Sequence, residues 1–175
     1  MKALIKEINN VKKSNVKKKV DSRIKEFNSF KRKKSHDIFK ELCFCILTAN
    51  STAQRCINVH NNIGDDFLNL NPKQLQKRLK EAGARFHTKR AGYISEARRY
   101  KDNLKNIINH FKDDQKLRAW IVKNVKGIGY KEASHFLRNI GYSNLAILDF
   151  HIIDNLAKNK IVQRPKNLNK ERYIE

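Results

Sequence analysis

Apolar residues recur at helical spacing along almost the whole chain, and the period-two alternation of strands is scarce. Residues 1–13 and 16–34 read as two basic amphipathic helices, or as one helix broken near Ser14-Asn15. Ser35 is placed to cap the next helix, where Phe39, Leu42, Cys43 and Ile46 recur at helical spacing. The stretch Thr48-Ala49-Asn50-Ser51-Thr52 interrupts the pattern and offers caps for a helix through Ile57. Asn71-Pro72 with Gln74 predicts a helix start, and Gly83 its stop. One helix is then expected over about 89–110 and another over about 113–123. Lys126-Gly127-Ile128-Gly129-Tyr130-Lys131 follows as a glycine-punctuated hairpin between two helices. Beyond it Ala133, Phe136, Leu137 and Ile140 fall at i, i+3, i+4 and i+7, and Gly141 closes that helix. Asp149 stands where the N-cap of a last helix belongs. With no internal repeat and no Gly/Ser linker, the expected architecture is all-α, a single domain over 1–175 built as two helical lobes.

Charge changes the picture next. The chain carries 39 Lys and Arg against 17 Asp and Glu, a formal net charge of +22. Such a field favours a polyanion, because binding releases the counterions condensed on phosphates. Residues 1–34 hold 13 basic and 3 acidic side chains, so this N-terminal segment is either a basic arm or a solvated helix face. An AT-rich genome, which inflates Lys, Asn and Ile, is the competing explanation for part of the excess. The charge points to nucleic acid and says nothing about chemistry.

The apolar run Leu42 to Leu47 is too short to span a bilayer, and the lysine-punctuated start lacks the apolar core of a signal peptide. A cytoplasmic, nucleoid-associated protein is expected. Cys43, Cys45 and Cys56 are odd in number and sit in apolar, helical surroundings, which favours buried reduced thiols over disulfides or zinc.

The hairpin is the first candidate for chemistry. Two glycines around Ile128 allow a tight turn whose amides, with the following helix N-terminus, make an anion site for a phosphate. An ordinary helix–helix turn is the alternative for that pattern alone. A Cβ at Gly127 or Gly129 is expected to block the phosphate while leaving the fold intact. Lys131 opens the second helix, where the dipole and the nearby Lys123 and Lys126 disfavour an ammonium and so favour a nucleophilic amine. Asp149 can return beside that amine after one helix and a turn, to accept a proton and stabilise positive charge. Taken singly, Lys131 reads as a solvated lysine and Asp149 as an N-cap; the combination is far less expected by chance.

In these features the chain resembles the helix-hairpin-helix DNA glycosylases, and within them the archaeal-type 8-oxoguanine DNA glycosylase/AP lyases. The similarity runs from about Phe27 to Leu156. It is greatest in Leu42-Cys43-Phe44-Cys45-Ile46-Leu47-Thr48-Ala49-Asn50, in Arg85-Phe86-His87-Thr88-Lys89-Arg90-Ala91 and in Val125 to His151. The resemblance implies a helix-hairpin-helix motif over 125–140, a Schiff-base nucleophile at Lys131 and a catalytic carboxylate at Asp149. It implies DNA contacts from Lys126, Gly127 and Gly129, and an Asn50 side chain that enters the gap left by a flipped base. It places Phe86 in a segment similar to one lining the base pocket. From local sequence alone Asn50 reads equally as a helix cap, and Phe86 as core packing.

The expected activity is removal of 8-oxoguanine followed by β-elimination; the alternative is a non-catalytic or C-terminally truncated DNA-binding protein of the same fold. The expected partner is double-stranded DNA with a damaged base, bound by a monomer and not by a membrane. No metal is needed for the chemistry, although the resemblance allows a monovalent cation on hairpin carbonyls. No iron–sulfur cluster is expected, since such clusters need four cysteines near the C-terminus and none lies beyond Cys56. Relatives usually carry a polar or basic residue where Phe150 stands, and they continue past the position of Glu175 through a further helix and tail.

Overall fold

The computed structural model describes residues 2–168 together with Glu171 and Tyr173; Met1 and Glu175, the ends of the expected domain, lie outside them. Among the described residues the chain is helical without strands. Helices α1 (Lys2–Lys12), α2 (Val16–Ser29), α3 (Ser35–Thr48), α4 (Ala53–Ile63), α5 (Asp66–Asn69) and α6 (Pro72–Glu81) make the first half. Helices α7 (His87–Ala97), α8 (Leu104–His110), α9 (Asp114–Asn124), α10 (Tyr130–Asn139) and α11 (Phe150–Lys158) complete it. None of these is long and apolar enough to cross a membrane.

The core is organised by α3. Ile38, Phe39, Leu42, Cys43, Cys45, Ile46 and Leu47 are all buried, so this helix is apolar around most of its circumference. A helix of that kind must be surrounded, and α4, α5, α7, α8 and α10 pack against it. Phe39, Phe67 and Phe136 are fully buried at these contacts. Truncating Leu42, which is 0% exposed, to Ala would cost about 2–5 kcal/mol. The three cysteines are free and buried, and burial raises each thiol pKa.

Two expected features of the chain fall differently. The expected helix over 89–110 is broken, because Arg98 turns its guanidinium to the carbonyls of Phe67, at 2.7 Å, and Leu70. That cluster joins the end of α7 to the α5–α6 turn and leaves α8 as a separate segment. Ser35 does not cap its own helix. It is the first residue of α3, and its hydroxyl accepts the Lys105 amide at 3.2 Å, near the start of α8. Elsewhere the expected signals hold: Asn71 and Gln74 form a reciprocal capping box on α6. Asp113 caps α9 through the amides of Gln115 and Lys116.

The basic N-terminal segment folds back on α10. Gly141 has φ +96°, and a Cβ there would lie 2.9 Å from Lys31 Cε and 3.2 Å from the Phe27 carbonyl. The Arg138 guanidinium stacks on Phe27 at 4.8 Å from the ring centroid. Val16, Val20 and Ile24 line the groove left between α2 and the 141–147 segment.

Candidate functional site

Helices α9 and α10 and the turn between them form the helix-hairpin-helix unit. Ile128 is buried and anchors the turn in the core. Gly127 and Gly129, alike in sequence, have different tasks. Gly127 has φ +81°, and a Cβ on it would lie 2.4 Å from the Tyr93 ring. Gly129 has ordinary negative φ, and a Cβ there would meet only the flexible end of Glu132, at 3.2 Å. Gly127 is therefore demanded by packing, whereas at Gly129 the open space faces outward. A bulky residue at 127 would strain the backbone and displace the Tyr93 ring, so the two glycines are not equivalent as the sequence alone made them.

The Gly129 amide donates to the Glu132 carboxylate at 3.3 Å, which is the half of a capping box that a glycine can form. The amides of Gly127, Tyr130 and Lys131 donate to no described residue and remain open to an anion. Lys126, expected near the amine, pairs with Glu96 at 2.9 Å. The Ile128 carbonyl accepts no hydrogen bond from a described residue, so its oxygen suits a monovalent cation at the hairpin. Among the described residues no group of three or more His, Cys, Asp or Glu side chains is arranged to hold a metal.

Lys131 stands in the first turn of α10, with its side chain 43% exposed and its Nζ 4.0 Å from Glu132 Oε1. Asp149 caps α11: its Oδ1 accepts the Ile152 amide at 3.0 Å. Asp149 Oδ2 takes no hydrogen bond from a described residue, so half the carboxylate stays free for chemistry. The N-cap and functional readings of Asp149 are thus compatible. Asn50, Tyr130, Lys131, Glu132, Asp149 and Tyr173 line one cavity of about 500 Å³. That volume falls in the range of about 300–1,000 Å³ common for small-molecule sites. Phe150 lines it too, 44% exposed, with the Arg164 guanidinium 5.4 Å from its ring centroid.

Asn50 sits on the wall between this cavity and a second groove of about 250 Å³ that is lined by Phe86, Lys89, Arg90, Tyr93 and Gly127. It is exposed, at φ +53°, in the turn before α4 and caps no helix. Two arginines hold it there. Arg85 donates to the Asn50 carbonyl at 2.8 Å, and buried Arg90 donates to the Ala49 carbonyl and to Ser51 Oγ at 3.2 Å. Phe86 is 52% exposed at φ +52°, so it packs in neither the core nor the Lys131 cavity. It stands in the adjacent groove, with Arg85 and Arg90 over its ring at 5.1 and 5.7 Å. Arg85, Arg90, Glu132 and Tyr173 are site residues that sequence reasoning did not single out. Only the closeness of both arginines to Phe86 in the chain hinted at them.

A sequence profile of the family described as 8-oxoguanine DNA glycosylase matches residues 20–175. The chain belongs to that family. The 8-oxoguanine DNA glycosylase/AP lyase of Methanocaldococcus jannaschii is 50% identical over 173 residues, covering 98% of this chain and 83% of the relative. That of Korarchaeum cryptofilum is 43% identical over 98% of this chain and 81% of its own. The crystal structure of the Methanocaldococcus jannaschii glycosylase/lyase in complex with a 15mer DNA containing 8-oxoguanine superposes with a TM-score of 0.93 at 48% identity. The match covers 98% of this chain and 83% of that one. The 8-oxoguanine DNA glycosylase of Thermotoga maritima gives 0.90 at 39% identity, covering 99% and 83%. The helix-hairpin-helix glycosylase fold of this family thus spans nearly the whole of the chain.

Proposed function

We propose that this glycosylase removes 8-oxoguanine from duplex DNA and then cleaves the strand, with Lys131 as nucleophile and Asp149 as its supporting carboxylate. The observation that carries this reading is the convergence of the Lys131 amine and a half-free Asp149 carboxylate on one cavity large enough for a flipped nucleotide. Basic surface and hairpin amides hold the phosphates, and the target nucleotide rotates out of the stack. Asn50, on its arginine-held turn, fills the vacated position in the duplex. Phe86, exposed beside it, presses on the neighbouring base pairs rather than on the flipped base. A monovalent cation at the Ile128 carbonyl would add positive charge beneath a phosphate. Such an enzyme works as a monomer on nucleoid-associated, cytoplasmic DNA.

The chemistry needs Lys131 without its extra proton, and Asp149 is the carboxylate placed to receive it. The amine attacks C1′ while the bond from C1′ to the base breaks, and the departing base takes the bonding electrons and the proton that Asp149 had received, which restores the charge of the carboxylate. Positive charge that develops at the sugar is balanced by Asp149 across the cavity. The sugar ring then opens to a protonated Schiff base on Lys131. Loss of a C2′ proton expels the 3′ phosphate by β-elimination, and water releases the amine.

Borohydride reduction tests the reading. Incubated with an 8-oxoguanine duplex and reductant, the protein should become covalently linked to the strand. A protein that binds this duplex yet never links to it is a DNA-binding member of the fold, not a lyase.

A further inference from the structure

The segment that delivers Asp149 is held from outside by a residue far along the chain. Tyr173 is 6% exposed. Its hydroxyl accepts the Leu148 amide at 2.9 Å and donates to the Ala146 carbonyl at 3.1 Å. Leu148 directly precedes Asp149, and this segment belongs to no helix, so the Tyr173 hydroxyl supplies hydrogen bonds that regular structure would otherwise provide.

The Tyr173 ring is itself fixed by the hairpin side of the cavity. It lies 6.0 Å from the ring of Tyr130, the residue before Lys131. The Arg118 guanidinium from α9 stands 5.3 Å from the Tyr130 ring centroid and 5.6 Å from that of Tyr173. Arg118 is buried, makes no ion pair with a described residue, and has an Nε without a hydrogen-bond partner. Its only hydrogen bond to a described residue goes to Ser134 Oγ at 3.4 Å. A buried guanidinium so poorly paired depends on the faces of both rings for compensation. The three side chains form one unit that ties the helix bearing Lys131 to the segment bearing Asp149.

We propose that Tyr173 is a positioning residue for Asp149, setting the carboxylate against Lys131 through its two hydrogen bonds to the 146–148 segment. The proposal rests on the reading of Asp149 as the supporting carboxylate. Tyr173 touches the backbone leading to Asp149, so its effect must pass through that carboxylate. A displacement of about 1 Å in such a site costs on the order of 100-fold in rate, and loosening the segment should cost about ten-fold.

A double-mutant cycle on the whole chain tests it, read as single-turnover release of 8-oxoguanine from duplex DNA. Tyr173→Phe keeps the ring over Arg118 and removes the hydroxyl. It should slow excision about ten-fold while binding to an uncleavable lesion duplex stays at the parental level. In an Asp149→Asn background the same substitution should have no further effect. Tyr173→Leu, which also strips the ring from Arg118, should lower the melting temperature, whereas Tyr173→Phe should melt close to the parent. Parental excision by Tyr173→Phe, or slowing that adds fully to that of Asp149→Asn, or a loss that only follows weaker DNA binding, overturns the proposal. If Asp149→Asn excises like the parent, the reading of the carboxylate fails and the clamp falls with it. If Asp149→Asn is slow and Tyr173→Phe is not, the clamp alone fails.

Discussion

Lys131 stands in the first turn of α10 and Asp149 caps α11, and their side chains face one cavity without forming an ion pair. The amine lies instead 4.0 Å from Glu132 Oε1, and the cavity leaves room for C1′ between Lys131 and Asp149. Asp149→Asn keeps a cap acceptor for the Ile152 amide and removes the charge. Base excision should fall by about 10²–10⁴-fold in single-turnover assays, with the thermal melt nearly unchanged. Loss of folding in parallel with activity would make Asp149 a cap and nothing more.

The hairpin glycines separate phosphate contact from folding. Gly129→Val should weaken binding to damaged and undamaged duplexes alike, by about ten-fold, in a protein that melts normally. Gly127→Val collides with Tyr93 and forces a β-branched residue to positive φ, so it should destabilise the protein by about 2 kcal/mol or more. Calorimetry beside a salt titration of DNA binding checks both; equal melting temperatures for the two variants would contradict the assignment.

The contrast at these glycines marks what a chain pattern can reveal. The hairpin turn and the places of Lys131 and Asp149 at helix starts were legible because each is a local signal: a glycine spacing, a helix start, a cap position. Tyr93 against Gly127, Ser35 capping α8 and Arg98 breaking the expected helix over 89–110 all involve partners distant in sequence. Phe86, for which core packing was the local expectation, is exposed for a related reason. Apolar character predicts burial on average, and the exposure of Phe86 follows from a left-handed backbone and two flanking arginines that periodicity does not encode.

Asn50 and Phe86 should act after the base has moved. Asn50→Ala and Phe86→Ala should each slow excision about ten-fold while binding to undamaged duplex is unchanged, since both act on the vacated or adjoining stack. A fluorescent base analogue opposite the lesion should report less flipping in both variants. Parental excision by both would leave the second groove without a role in repair.

Acid should destabilise the fold through His135. Burial, with Arg138 and Lys131 nearby, lowers its pKa to about 4, and burial lowers that of His60 as well. Phe44 packs edge-on to both rings, at 6.1 and 5.5 Å. The unfolded chain takes up the His135 proton near pH 6.5 and the folded chain only near 4. Stability from the neutral ring is therefore complete above about pH 6.5 and lost as pH falls through that window, on the order of 3 kcal/mol. His135→Phe should flatten the fall in melting temperature between pH 7 and pH 5; an unchanged slope would place the acid sensitivity elsewhere.

The most direct measurement is borohydride trapping of the Lys131→Gln protein beside the parent on the same 8-oxoguanine duplex. Glutamine keeps a polar side chain of similar reach and removes the amine. The parent should form a covalent protein–DNA adduct and cleave the strand. The variant should bind the duplex with parental affinity and form none. An adduct of undiminished yield from Lys131→Gln would place the nucleophile on another lysine and contradict the account.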